Sequence, residues 1–511
     1  MATNKLILRA TPSPYTFPTP DTVKGSVLSW DEMDNDLIFL KGLNIEAGSY
    51  DSGTTTVTLS RINGSTIAIS GITGGGGTGS TSIMVLGSGS GSTIRDNVTN
   101  IGTCLGSSAL GGSENQAIGI YTTVAGGRNN RASNTYATIA GGKGNTASGV
   151  TSTIAGGTSN TASGVTSTIA GGNSNIAGGS GSTIAGGITN TANGDCSTIG
   201  GGKSNTASGD NSFIGGGITN TANGDCSTIG GGTGNAVSAL ATCSTIGGGD
   251  SNNATACRST ISGGNGNAAT GISSAIGGGE GNYAPNSYST ISGGFENQSA
   301  SAIATVGGGY RNCVATVSTN GTISGGYCNN MSNSPSSVIS GGQFNGMSGA
   351  SYTSIAGGCG NTAVGSGSTI AGGITNTANG DCSTIGGGGG NTAVGSGSTI
   401  AGGSSNRSTG RFSTIGGGWC NEAEGISSVI GGGEDNCIVS GGDYSGILGG
   451  TGNTVTGDTH QFIIGSNITG DRDCTTFVNN LSVMNIPDGA GSLPAGAVYY
   501  CSADSNRLYV V

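Results

Sequence analysis

Proline, aromatic and charged residues are all scarce in this chain of 511 residues, at eight prolines, 5% aromatics and 8% charged residues. With so few prolines and no Gly-X-Y period, the 108 glycines do not build a collagen helix. No apolar run approaches the roughly 18 residues that a membrane-spanning helix needs. The only histidine is His460, and the thirteen cysteines contain no Cys-X-X-Cys pair, which removes the usual metal-ligand spacings. A net charge of -10 leaves no basic stripe to neutralise phosphates, so nucleic acid is not an expected partner. Polysaccharide cleavage would need paired carboxylates along a groove. The acids Asp195, Asp225 and Asp381 instead recur in one Gly-Asp-Cys slot that faces outward. Strings of the GxGxxG kind arise from glycine abundance and do not open helices, and the calcium-binding nonapeptide GGxGxD is not maintained. No enzymatic activity, catalytic residue, metal or cofactor is expected.

What is present is a strict repeat. An aliphatic anchor is followed two and three positions on by Gly-Gly and six positions on by Asn, 22 times in succession from Val124 to Ile447. The anchors run Val124, Ile139, Ile154, Ile169 and onward, with Ile464 closing the series. Most spacings are 15 residues and the rest are 16 or 17, so each unit is expected to stack on a copy of itself. In the unit from Ser152 to Thr166, the β-branched run around Ile154 reads as a short strand and Gly156-Gly157 as a corner. Asn160 to Ser163 reads as a second strand and Gly164 as a second corner. Two strands and two corners make one small, flat coil of a parallel β-solenoid, and 22 coils at a strand spacing near 4.8 Å predict a rod on the order of 100 Å long.

The asparagines never miss. Asn130, Asn145, Asn160, Asn175, Asn190, Asn205, Asn220, Asn235, Asn252, Asn267, Asn282 and Asn297 are followed by the rest of the series to Asn453. Stacked amides can bond up and down a ladder and cap corner backbone groups. A corner tolerating left-handed φ would also admit Asp or Gly, and neither occurs.

Cys196, Cys226, Cys243 and Cys382 each lie three residues before an anchor, which marks a slot for small side chains. Cys196 and Cys226 are two coils apart, roughly 9–10 Å, too far to bridge. Cys226 and Cys243 fall on adjacent coils, where a bridge is geometrically possible, although free thiols acting as small apolar groups are the favoured reading.

The units STIAGGTSNTASG (152–164) and STIGGGKSNTASG (197–209) resemble the head repeats of YadA-like trimeric autotransporter adhesins. That resemblance covers residues 93–466 and implies a left-handed parallel β-roll made by three chains. The ends differ from that family, since neither a signal peptide before the roll nor membrane-anchoring strands after it are evident. The segment GSVLSWDEMDNDLIFLKGL (25–43) looks like the N-terminal segment of bacteriophage tail fibre and virion appendage proteins. Ser29 and Glu32 form a capping box there, and Leu28, Met33, Leu37 and Leu40 share one side of an expected short helix. Such a helix trimerises, docks into a baseplate or packs on its own chain. Residues 460–485 and 493–511 resemble the closing segments of phage fibre proteins, and Ala497–Val511 reads as a β-hairpin that caps the solenoid. The expected organisation is a docking arm (1–45), a small β region with a Gly/Ser linker (46–92), the shaft (93–466) and a cap (467–511).

The position four after each anchor varies freely and is expected to face solvent. It carries Phe295, Tyr310, Tyr327 and, one residue late, Phe344, with Trp419 further on. Aromatics in file suit stacking on sugar faces of a host receptor, or a ladder that stabilises its own edge. The resemblance implies a homotrimeric fibre, docked to other virion proteins through its N-terminal region and contacting a host-surface glycan or protein. Two other readings compete. One is a bacterial extracellular adhesin or matrix fibre. The other is an ice-binding solenoid built on the Thr row before the anchors, which Phe213, Ala275, Val338 and Ser354 interrupt.

Overall fold

The computed structural model describes residues 100–479 throughout, and outside them only strands. Two compact units divide the chain, Met1–Gly248 and Gly249–Val511. Each is all-β, and among the described residues there is no helix.

Within each unit the coils stack in parallel register. In the first, Thr153–Ile154 faces Thr138–Ile139 on one side and Thr168–Ile169 on the other. Thr161–Ala162 likewise lies between Thr146–Ala147 and Ile176–Ala177. In the second, Thr384–Ile385 faces Thr369–Ile370 and Thr399–Ile400. Most of these strands are only two residues long because alternation leaves one side chain inside and one outside before a glycine turns the chain.

A coil has a third pairing site that a two-strand reading omits. Thr158, four after its anchor, bridges in parallel to Lys143 and Asn173, and the equivalent ladder in the second unit runs from Asp250 to Thr451. The backbone explains how so short a coil satisfies itself. Thr153, Ala155, Thr158, Thr161 and Ser163 donate N–H bonds to the following coil, at 2.8–2.9 Å. Ser159 and Thr166 donate instead to the preceding coil, to Lys143 and Val150, both at 2.8 Å. Those two residues have left-handed φ of 56° and 55°, which reverses the direction of the N–H bond.

The interior is half polar. Ile154 and Ala162 are fully buried, and so are Ser152 and Asn160. The slot three before the anchor is one of the left-handed positions of each coil and faces outward. It holds Cys196 and Cys226, but also Tyr121, Tyr136, Arg258 and Ile303, so it does not select small side chains. The final anchor also moves by one residue. Ile463 pairs with Ile447 and is buried, whereas Ile464 is 48% exposed, because the coil closing on it is 16 residues long.

The parallel ladder reaches back to Thr93–Arg95, which faces Ser108–Ala109. In the second unit a parallel ladder continues past residue 466 to Thr476–Val478, where Phe477 takes the anchor's place without a Gly-Gly pair after it. Three antiparallel strands, Ile45–Asp51, Thr56–Arg61 and Thr66–Ser70, form a separate sheet. Leu37–Leu40 is a strand paired antiparallel with Leu6–Arg9, which corrects the expected helix over its last turn. A continuous Leu-Ile-Phe-Leu run favours an extended chain over the helical spacing of Leu37 and Leu40. The capping-box residues Ser29 and Glu32 lie outside the described residues. Val498–Cys501 pairs antiparallel with Arg507–Val510.

Candidate interaction surfaces

The asparagines lie inside the coil, not at an exposed corner. The main-chain N–H of Asn160 donates to Oδ1 of Asn145 at 2.9 Å, and Asn160 Oδ1 accepts from the N–H of Asn175 at 3.0 Å. Its Nδ2 donates to the carbonyls of Gly156 in its own coil and Gly172 in the next, each at 3.0 Å. The same set recurs at Asn190 in the first unit and at Asn376 in the second. Direct amide-to-amide contact is added in some coils, as from Asn205 to Asn190 at 3.1 Å and from Asn421 to Asn406 at 3.0 Å. The ladder therefore runs chiefly between side chain and main chain. The donor amide faces two carbonyl oxygens, which a carboxylate would repel, and this accounts for the absence of Asp.

One of the two corner glycines makes this possible. Gly157 has φ of 92°, and a Cβ there would overlap the carbonyl oxygen of Gly172 and stand 2.5 Å from Asn160 Nδ2. A Cβ on Gly156 would meet nothing within 4 Å.

Outside, the aromatic file is a stack of rings in contact with one another. Phe295 and Tyr310 have centroids 5.2 Å apart, and Tyr310 and Tyr327 4.9 Å, each pair 5° from parallel. Phe344, one residue later in its coil, meets Tyr327 edge-on at 5.4 Å. Tyr310 thus has a ring on either side, and the Arg311 guanidinium lies 5.0 Å from its centroid. Arg311 also pairs with Glu296. Trp419 stands apart from this file, between Ser404 and Glu434 in the same ladder, and is exposed.

A second aromatic pairing occurs in the left-handed slot three before the anchors, once in each unit. Tyr121 stacks on Tyr136 at 5.4 Å, and Tyr444 on His460 at 5.2 Å. The phase of these residues relative to their anchors was the signal for it.

The outward acids have a structural task. Asp195 accepts the N–H of Ser180 at 2.8 Å, Asp210 that of Asp195 at 2.8 Å, and Asp225 that of Asp210 at 2.9 Å. Asp381 does the same for Ser366 at 2.9 Å. Each closes a rung that the main chain leaves open. No group of His, Cys, Asp or Glu suited to a metal ion occurs among the described residues. The most perturbed thiol is Cys437, pushed up to about 11 by burial and by the neighbouring Glu422 and Glu424. Burial also raises Cys313.

Longer coils place their extra residues in one corner. From anchor to second strand the interval is constant, as in Ile246 to Asn253 and Ile430 to Cys437. The additions fall between the second strand and the next first strand, as at residues 238–244 between Ala236–Val237 and Thr245–Ile246. The Gly-Gly and Asn half tolerates no change in length because Asn must reach carbonyls of two coils.

No family model matches the chain, and no curated protein is similar to it in sequence.

Proposed function

We propose that this protein is a non-enzymatic structural and adhesive fibre of a virion, three copies side by side, which extends from the particle and contacts the host cell surface. The observation that carries this reading is the in-register stacking of equivalent coils, which invests each unit in length and stiffness. Three chains in a left-handed roll follow the resemblance of the repeats to YadA-like heads. The trimer is further supported by aliphatic side chains on the outside, such as Ile188, Ile218 and Ile374, around an interior that holds one Ile and one Ala per coil. The N-terminal region docks to other virion proteins, in keeping with the likeness of residues 25–43 to tail fibre segments.

The host contact is a surface glycan or protein. Because Phe295, Tyr310 and Tyr327 cover one another's faces, Trp419 is the aromatic best placed to stack on a sugar. Electron microscopy of purified virus particles with an antibody against the shaft tests the proposal. Labelled fibres projecting from the particle are expected, together with a solution mass of three chains. Labelling of uninfected bacteria would favour a cell-surface adhesin instead, and a monomer would remove the trimer.

A second reading has one observation in its favour. Thr123, Thr138, Thr153, Thr168, Thr183 and Thr198 stack without interruption on the outer face of the first unit. Such a row is a candidate ice-binding face, and a thermal-hysteresis measurement decides it.

A further inference from the structure

Cys226 and Cys243 occupy the same slot of consecutive coils. Thr228 faces Thr245 in the parallel ladder, and each cysteine lies two residues before its threonine. Both have left-handed φ, 56° and 57°. Cys226 donates its N–H to the carbonyl of Asp210 at 2.7 Å, and Cys243 donates to that of Asp225 at 2.8 Å, so the two backbones repeat each other one coil apart. Both thiols are exposed and free. Adjacent strands lie about 4.7–4.9 Å apart, inside the Cα separation of roughly 4.4–6.8 Å that a disulfide requires.

The same slot elsewhere gives an independent gauge of the side chains. A Cβ on Gly181 would stand 3.4 Å from Cys196 Sγ, and one on Gly367 would stand 3.4 Å from Cys382 Sγ. The slot therefore holds the thiol of one coil against the Cβ of the coil before it. Only at Cys226 and Cys243 do both positions carry sulfur; Cys196 is flanked by Gly181 and Asn211, and Cys382 by Gly367 and Gly397.

We propose that Cys226 and Cys243 form a reversible intrachain disulfide, by exchange with a small-molecule disulfide, that staples the long coil between them. One thiolate attacks a sulfur of the small disulfide, forming a mixed disulfide and releasing one small thiolate. The second cysteine thiolate attacks the protein sulfur of that mixed disulfide and releases the other. Two protein thiols are oxidised, the small disulfide is reduced to two thiols, and these take up the two protons. The bridge encloses the longer corner, where Leu240 is 81% exposed. A reducing cell interior keeps the pair as thiols, and an oxidising exterior closes it. The groups facing Cys226 are Cys243, Asp225 and Asp210, and burial together with these neighbours raises its thiol above the ordinary range. Closure therefore speeds up as the medium becomes more alkaline, where the thiolate forms.

The test is incubation of the full chain with oxidised glutathione near about pH 8.5, followed by non-reducing peptide mapping. The expected result is a linked pair of peptides containing Cys226 and Cys243, abolished by dithiothreitol, in a protein that migrates as one chain. Cys196 and Cys382 serve as internal controls and should carry glutathione alone. In Cys243→Ser, Cys226 should carry glutathione to the same extent as Cys196. Glutathione on both Cys226 and Cys243 without a link overturns the proposal, as does a link between two chains, or modification of Cys196 with neither partner altered. The outcome is independent of the fibre reading, since it is read on the isolated chain.

Discussion

The side-chain oxygen of Asn145 accepts the main-chain N–H of Asn160 at 2.9 Å, although the two are 15 residues apart in the chain. That bond, repeated coil after coil within each unit, ties a side chain to the backbone of its successor. It converts a sequence repeat into a mechanical one, because every coil completes the hydrogen bonding of the next.

Replacing Asn160 should therefore cost more than its size suggests. Asn160→Ala leaves the carbonyl of Gly156 and the N–H of Asn175 without their partner in a buried setting, and removes one of the two donors to the carbonyl of Gly172. A loss of about 3–5 kcal/mol is expected in denaturant unfolding. Asn160→Asp should be at least as damaging at neutral pH, since a carboxylate would face two carbonyl oxygens. Burial against two carbonyl oxygens raises its folded-state pKa above the ordinary value near about 3.9, so part of the loss should be recovered as the solution is acidified and the carboxyl gains a proton to donate. Equal stability of wild type and Asn160→Ala would refute the buried-amide account.

The two corner glycines separate cleanly. Gly157→Ala should destabilise by about 2 kcal/mol or more, from positive φ and overlap with Gly172. Gly156→Ala, with open space around it, should change stability by less than about 0.5 kcal/mol. Melting curves of the two single variants, compared side by side, check the contrast.

Tyr310 is held between two rings, so Tyr310→Ala should lower stability by about 1–2 kcal/mol. Trp419→Ala should leave melting nearly unchanged and reduce adhesion to host cells. If alanine at Phe295, Tyr310 and Tyr327 together lowers adhesion while Trp419→Ala does not, the receptor contact belongs to the file.

Thiol labelling should follow exposure and charge. With its thiol pushed up to about 11, Cys437 carries on the order of 300-fold less thiolate near neutral pH than an ordinary cysteine of pKa about 8.5. Iodoacetamide at about pH 8 should modify Cys196 and Cys382 first and Cys437 far later, as read by mass spectrometry. Removing the nearby charges in Glu422→Gln with Glu424→Gln should narrow the gap.

Much of this fold was legible because the repeat is so regular. The first strand was placed from the β-branched run around Ile154, and the Gly-Gly pair from the need for a corner. The asparagines were harder to place, since a polar residue after two glycines reads as a turn; only the surrounding carbonyls show why Asn160 is wholly enclosed. The slot of Cys196 was misjudged because cysteine, glycine and serine are small, whereas what unites it with Tyr121 and Arg258 is backbone direction. Leu37–Leu40 was assigned by spacing to a helix, yet its pairing with Leu6–Arg9 depends on residues distant in sequence. Phe295, Tyr310 and Tyr327 were correctly set in file, but their mutual contact is a property of ring orientation that no pattern of letters contains.

The constancy of the half-coil from Ile154 to Thr161 has a bearing on how such a gene can change. Since Ile154 meets Ile139 below and Ile169 above in the same manner, excising residues 152–166 would bring together surfaces that already match. Unequal recombination between copies then shortens or extends a unit by one strand spacing, about 4.8 Å, at a time. Reach becomes a heritable quantity adjusted in whole steps, without any new packing having to be invented.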